Sequence, residues 1–64
     1  MKRYIVRHSS GDFVRLVNQP AGEHDQLVPL FVRFREDATI FETPKSALLS
    51  IFGSNTLPLG YEVI

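Results

Sequence analysis

The chain has 64 residues, enough for one small domain that buries only about 60% of the surface its unfolded form exposes. Its seven basic and seven acidic residues cancel, which removes a global pull towards nucleic acid, and the absence of cysteine excludes disulfides, thiolate zinc sites and a cysteine nucleophile. No apolar run approaches the length of a membrane span, and Arg7 and His8 interrupt any signal-peptide core, so a cytoplasmic protein with no membrane partner is expected.

Residues 2–8, KRYIVRH, read as a strand. Ser9, Ser10, Gly11 and Asp12 are turn formers, and residues 13–18, FVRLVN, return as the second strand of a hairpin. Residues 19–26, QPAGEHDQ, read as the longest polar loop, because Pro20 and Gly22 break the pattern. Residues 27–34, LVPLFVRF, make a third strand; Pro29 cannot donate to a ladder and belongs at an edge or a bulge. Residues 35–38 form a polar turn and residues 39–42, TIFE, a short fourth strand.

Thr43 to Gly53, TPKSALLSIFG, is the best-marked element. The Thr43 hydroxyl can accept from an orphaned N–H of the first turn, Pro44 suits the first helical position, and Gly53 suits a left-handed residue just past the end. Ala47, Leu48, Ile51 and Phe52 fall on one stripe of a 3.6-residue period, with Leu49 the apolar exception. Such a short helix does not persist alone in water, so the stripe must pack on a sheet. Residues 54–60 read as a loop and residues 61–64, YEVI, as a last strand. The expected fold is α+β: a small, mainly antiparallel sheet of four or five short strands with one helix packed on one face, in the order β-β-β-β-α-β. The alternative is a small barrel closed by the helix.

One helix covers one side of a sheet, and strand alternation sorts the rest. Tyr4, Val6, Val14, Leu16, Val28, Leu30, Val32 and Phe34 form the apolar set expected under the helix. The opposite face then carries Arg3, Ile5, Arg7, Phe13, Arg15 and Val17, joined by Phe31 and Arg33 if the register holds through Pro29. Arginine and aromatic residues are enriched at interface hot spots, so Arg3, Arg7, Phe13, Arg15, Phe31 and Arg33 are the candidate partner-binding residues. The charge split points the same way: residues 1–20 hold Lys2, Arg3, Arg7 and Arg15 against Asp12, and the acidic excess lies beyond.

Signals for chemistry are sparse. His8, Ser9, Ser10 and Asp12 have the residue types of a catalytic triad but sit together in a turn. Glu23, His24 and Asp25 are too few ligands for a metal site. No phosphate-binding glycine loop is present, and the chain is short for an enclosed active site. The expectation is a protein without catalytic residues, metal or cofactor.

The stretch TIFETPKSALL…LPLGYEV, residues 39–63, resembles the strand–helix–strand half of the short phage inhibitors of host RNA polymerase, through Glu42, Thr43, Ala47, Leu48, Gly60, Tyr61, Glu62 and Val63. That resemblance covers less than half the chain and implies a small regulator that works by docking. The expected function is therefore a non-catalytic protein-binding module, of the kind a small phage or bacterial regulator uses. The alternatives are single-stranded nucleic-acid binding through the Arg/Phe face, against which the zero net charge counts, and a structural homodimer.

Overall fold

The computed structural model describes residues 2–22 and 24–64. Thr43 caps α1 (Pro44–Phe52) by accepting the Ser46 N–H at 3.0 Å, and Gly53 closes it at φ 70°, its own N–H donating to the Leu49 carbonyl. Both termini follow the sequence signals, because a hydroxyl acceptor and a left-handed glycine each satisfy backbone groups that the helix cannot. Ala47 is fully buried, Leu48, Ile51 and Phe52 are half-buried, and Leu49 is exposed, so the apolar stripe lies where the period puts it.

The stripe packs on a sheet of four antiparallel strands among the described residues: β1 (Val6–His8), β2 (Phe13–Ala21), β3 (His24–Val32) and β4 (Tyr61–Val63). Their spatial order is β3-β2-β1-β4. β3 and β4 are edges, so the sheet is open and the α+β class stands without the barrel alternative. The core joins Val6, Val14, Phe41 and Ala47, with Leu16, Ile51, Phe52, Tyr61 and Val63 packed around it.

Three local readings of the sequence change. First, residues 19–21 and 24–26 are strand rather than loop, and Glu23 of that span lies outside the described residues. β2 and β3 pair continuously from Phe13↔Val32 to Ala21↔His24, and Gly22 turns the chain at φ 65°. The prolines fit because of where the backbone groups point. Asp12 O accepts from His8 N, Val14 O accepts from Thr39 N, and Leu16 N donates to Thr39 Oγ1. Even-numbered residues of β2 therefore turn their N–H and C=O away from β3. Pro20 lacks a donor on the side where β3 does not need one, and Pro29, opposite Leu16, lacks one on the free edge.

Second, the register of that hairpin fixes the faces of β3 opposite to the expectation. Val14 faces Phe31 and Leu16 faces Pro29, so Phe31 lies on the helix side. Val28, Leu30 and Val32 lie instead on the side of Phe13, Arg15 and Val17. A register change of one residue inverts every side chain of a strand, and the assumed longer loop left that parity open.

Third, the fourth strand, TIFE, shortens to a single bridge. Tyr4 and Phe41 exchange backbone bonds of 2.9 and 2.8 Å. Next to it the Thr39 hydroxyl, rather than a backbone carbonyl, takes the Leu16 N–H, which ends the ladder. A 3₁₀ turn at Arg35–Asp37 precedes this segment, and Arg33 and Phe34 lie beyond the end of β3.

Candidate docking surface

Arg7, Phe13 and Arg15 share one face of the sheet: Arg7 is the cross-strand neighbour of Phe13, and Arg15 lies two residues on along β2. Glu62 of β4 lies beside Arg7 on the same side, with Oε1 2.6 Å from Arg7 Nε and also bonded to Nη2. Both partners are about half exposed, so this pair contributes about 0–1 kcal/mol, screened by salt. Arg15 is exposed opposite Leu30, while Val17, Val28 and Val32 are half-buried around it. Arg3 is exposed ahead of β1 and lines a surface hollow with Ile5, Arg35, Glu36 and Ile40. That hollow adjoins Ile5, which is buried, so this side of the sheet is partly covered by residues 35–40. Arg33 is exposed past the end of β3. Of the six candidate residues, the fold thus brings Arg7, Phe13 and Arg15 together and sends Phe31 to the other face.

On the helix side, one end of the sheet gathers aromatic rings. β1 ends there at His8, β4 begins there at Tyr61, and Phe31 comes from the adjacent end of β3. The His8 ring lies 4.8 Å from Tyr61, edge-on, and 5.4 Å from Phe31. Phe31 and Tyr61 are nearly parallel at 6.4 Å, and Phe52 meets Tyr61 edge-on at 4.9 Å. Tilted and edge-on pairs of this kind add to apolar burial because positive ring edges meet negative faces. The row is not sealed. Between β3 and the last turn of α1 lies an open cleft of ≈ 240 Å³, walled by Pro29, Phe31, Ile51, Phe52 and Tyr61, with Val14. Phe31 remains 55% exposed there. Leu30, 50% exposed at the sheet edge, also borders the cleft.

A loop with an unusual side chain flanks this end. Ser9 N donates to Gly60 O at 2.7 Å, and a Cβ on Gly60 would come within 3.3 Å of His8 Nε2. Glycine is required there by its φ of 91° and by that close approach to the imidazole. The preceding residue, Leu59, is 99% exposed.

The polar turn after β1 is ordered by its own side chains. His8 Nδ1 accepts from Ser10 N at 3.2 Å and lies 3.0 Å from Ser10 Oγ, which is 3.4 Å from Asp12 Oδ2. The serine hydroxyl therefore stands between imidazole and carboxylate. A triad needs the imidazole in the middle, so that the carboxylate orients it and the ring takes the hydroxyl proton. The arrangement is that of a side-chain-bonded turn. Glu23 lies outside the described residues; His24 and Asp25 stand exposed at the hairpin end, where Asp25 accepts from Asn18 Nδ2 at 3.2 Å. Among the described residues, no three His, Asp or Glu side chains converge on a point that could hold a metal ion. No helix of the described residues is long and apolar enough to cross a membrane.

Leu59 is an exposed residue that the sequence did not single out, while His8, Phe52 and Tyr61 meet at the cleft end, beyond their places in a turn, a helix stripe and a last strand. Leu59 carried a usable signal: a large apolar side chain between Pro58 and Gly60, in a segment with turn chemistry and no periodicity, has no strand or helix face to bury it. The contact of His8 with Tyr61 depends on β1 pairing with β4 across the length of the chain, and local sequence does not encode that pairing. No protein-family model matches the chain, and neither the curated proteins nor the solved structures contain a match.

Proposed function

We propose that the chain is a non-catalytic protein-binding module, a small regulator that docks a polypeptide against the aromatic end of its sheet. The observation that carries this reading is Phe31: a half-exposed ring on the wall of an unfilled apolar cleft, with Tyr61 and Phe52 on the other walls. Exposed apolar clusters mark interaction sites, and rings seated in pockets dominate interface energies. Arg3, Arg15 and Arg33 then act as flanking charge, which steers encounter more than it holds the complex. The resemblance of residues 39–63 to the phage polymerase inhibitors supports the same class of function. Against nucleic acid, Phe31 and the arginines lie on opposite faces, leaving Phe13 beside Arg7 and Arg15; base stacking and phosphate binding along a strand need rings and cations on one surface.

The test is a pair of altered baits. Immobilised wild-type protein, Phe31→Asp and Arg15→Glu are exposed to lysate of the native host, after circular dichroism has shown that all three are folded. A partner retained by the wild type and by Arg15→Glu, and lost from Phe31→Asp, supports the reading. A partner lost only from Arg15→Glu would move the site to the arginine face.

A further inference from the structure

The side of the sheet away from α1 carries a hollow of its own, built by two segments distant in the chain. Tyr4 and Phe41 bridge with Phe41 in the core, so alternation turns their neighbours Ile5 and Ile40 together towards the other side. Ile5 is buried and floors a hollow of ≈ 430 Å³, and Ile40, 58% exposed, walls it. Arg3 reaches it from the segment ahead of β1, and Arg35 and Glu36 from the 3₁₀ turn. The volume lies in the range of small-molecule sites, whose usual make-up is an apolar lining with a few convergent polar groups. We propose that this hollow binds a small organic phosphate monoester, with its phosphate held by Arg3 and Arg35 and its apolar group laid on Ile5 and Ile40.

Charge sets the sign of the ligand. Among the described residues the ion pair is Arg7 with Glu62; Arg3 and Arg35 have no carboxylate partner, not even Glu36 beside them. Two guanidinium groups that share a hollow repel each other, and an anion between them replaces that repulsion with two attractions. Lys2, exposed next to Arg3, adds to the positive field. Phosphate matches the pair better than carboxylate. Each guanidinium presents a planar fork of donors; one fork takes both oxygens of a carboxylate, whereas the three terminal oxygens of a phosphate monoester serve two forks. A bare inorganic ion would leave Ile40 in water, and an apolar group on the phosphate removes that surface from it. Glu36 is an acceptor only, so it opposes the phosphate charge and favours a ligand whose apolar part also carries a donor such as a hydroxyl.

Titration of the whole chain with phenyl phosphate, followed by nuclear magnetic resonance of the isoleucine methyls and the arginine Nε–H groups, tests this. Saturable shifts at Arg3, Arg35, Ile5 and Ile40 are expected in the millimolar range. Inorganic phosphate should bind about tenfold more weakly, because it buries no apolar surface. Arg3→Gln and Arg35→Gln should each weaken phenyl phosphate about tenfold, the scale of one hydrogen bond to a charged group. Both side chains are exposed, so the circular dichroism spectrum of each variant should be unchanged. Glu36→Gln should tighten binding several-fold. Arg15→Gln, on the same side of the sheet but outside the hollow, should bind as the wild type does. Absence of shifts at the hollow, or equal affinity for inorganic phosphate, overturns the site. A loss in Arg15→Gln as large as in Arg3→Gln also overturns it, by showing a diffuse response to positive charge. Benzoate bound as tightly as phenyl phosphate overturns the choice of phosphate. The hollow lies on the other side of the sheet from the aromatic cleft, so each of these outcomes leaves the docking reading to the altered baits.

Discussion

The two faces of this sheet are built from the same strands and differ only in which residues alternation sends to each. On the helix side, Val6 and Val14 are buried and His8, Phe31 and Tyr61 form a row of touching rings. On the other side, Arg7 meets Glu62 in half-exposed water, Arg15 is solvated, and half-buried valines lie between them. The first face combines cohesion with an unfilled cleft, and the second combines solubility with a weak ion pair. The hairpin turn at Gly22 decides the distribution, since it sets which residues of β3 face Val14 and which face Arg15. Binding chemistry read from residue types alone put Phe31 with the arginines. The register puts it with the core.

Substitutions on each face should therefore differ in size. Phe41→Ala removes a ring that is 7% exposed in the core beneath the helix. Its cost of about 3–5 kcal/mol is comparable to the stability such a small core supplies, so urea titration followed by circular dichroism should show a largely unfolded protein without denaturant. Thr43→Ala removes the helix cap and should cost about 1 kcal/mol, seen as a lower urea midpoint with an unchanged slope. Arg7→Ala, on the other face, should cost at most about 1 kcal/mol and less at high salt, because its ion pair is half exposed. An Arg7→Ala loss as large as that of Phe41→Ala would break the comparison, since it would make the arginine face structural. Pro29→Val should leave the urea midpoint nearly unmoved, and its restored edge donor should appear as faster aggregation in light scattering.

Much of the helix was legible because its information is local. Thr43, Pro44 and Gly53 each act on backbone groups within one turn, and the stripe through Ala47, Ile51 and Phe52 needs only the helical period. The strands were legible as apolar segments but not in extent or register. Pro20 and Gly22 look like loop residues, and they are tolerated within the hairpin only because Pro20 turns its missing donor away from β3. Thr39 looks like a strand residue, yet its hydroxyl ends the pairing it begins. The site was half legible. The association of Arg7, Phe13 and Arg15 follows from alternation within one tight hairpin. The placement of Phe31 beside His8 and Tyr61 needs the long hairpin register and the pairing of β1 with β4 together.

The most direct test of the docking surface is capture from lysate of the native host by the folded wild type, Phe31→Asp and Arg15→Glu side by side. Loss of the captured partner from Phe31→Asp, with capture by Arg15→Glu unchanged, is the predicted result. Loss from Arg15→Glu alone, or capture that Phe31→Asp leaves unchanged, would contradict it.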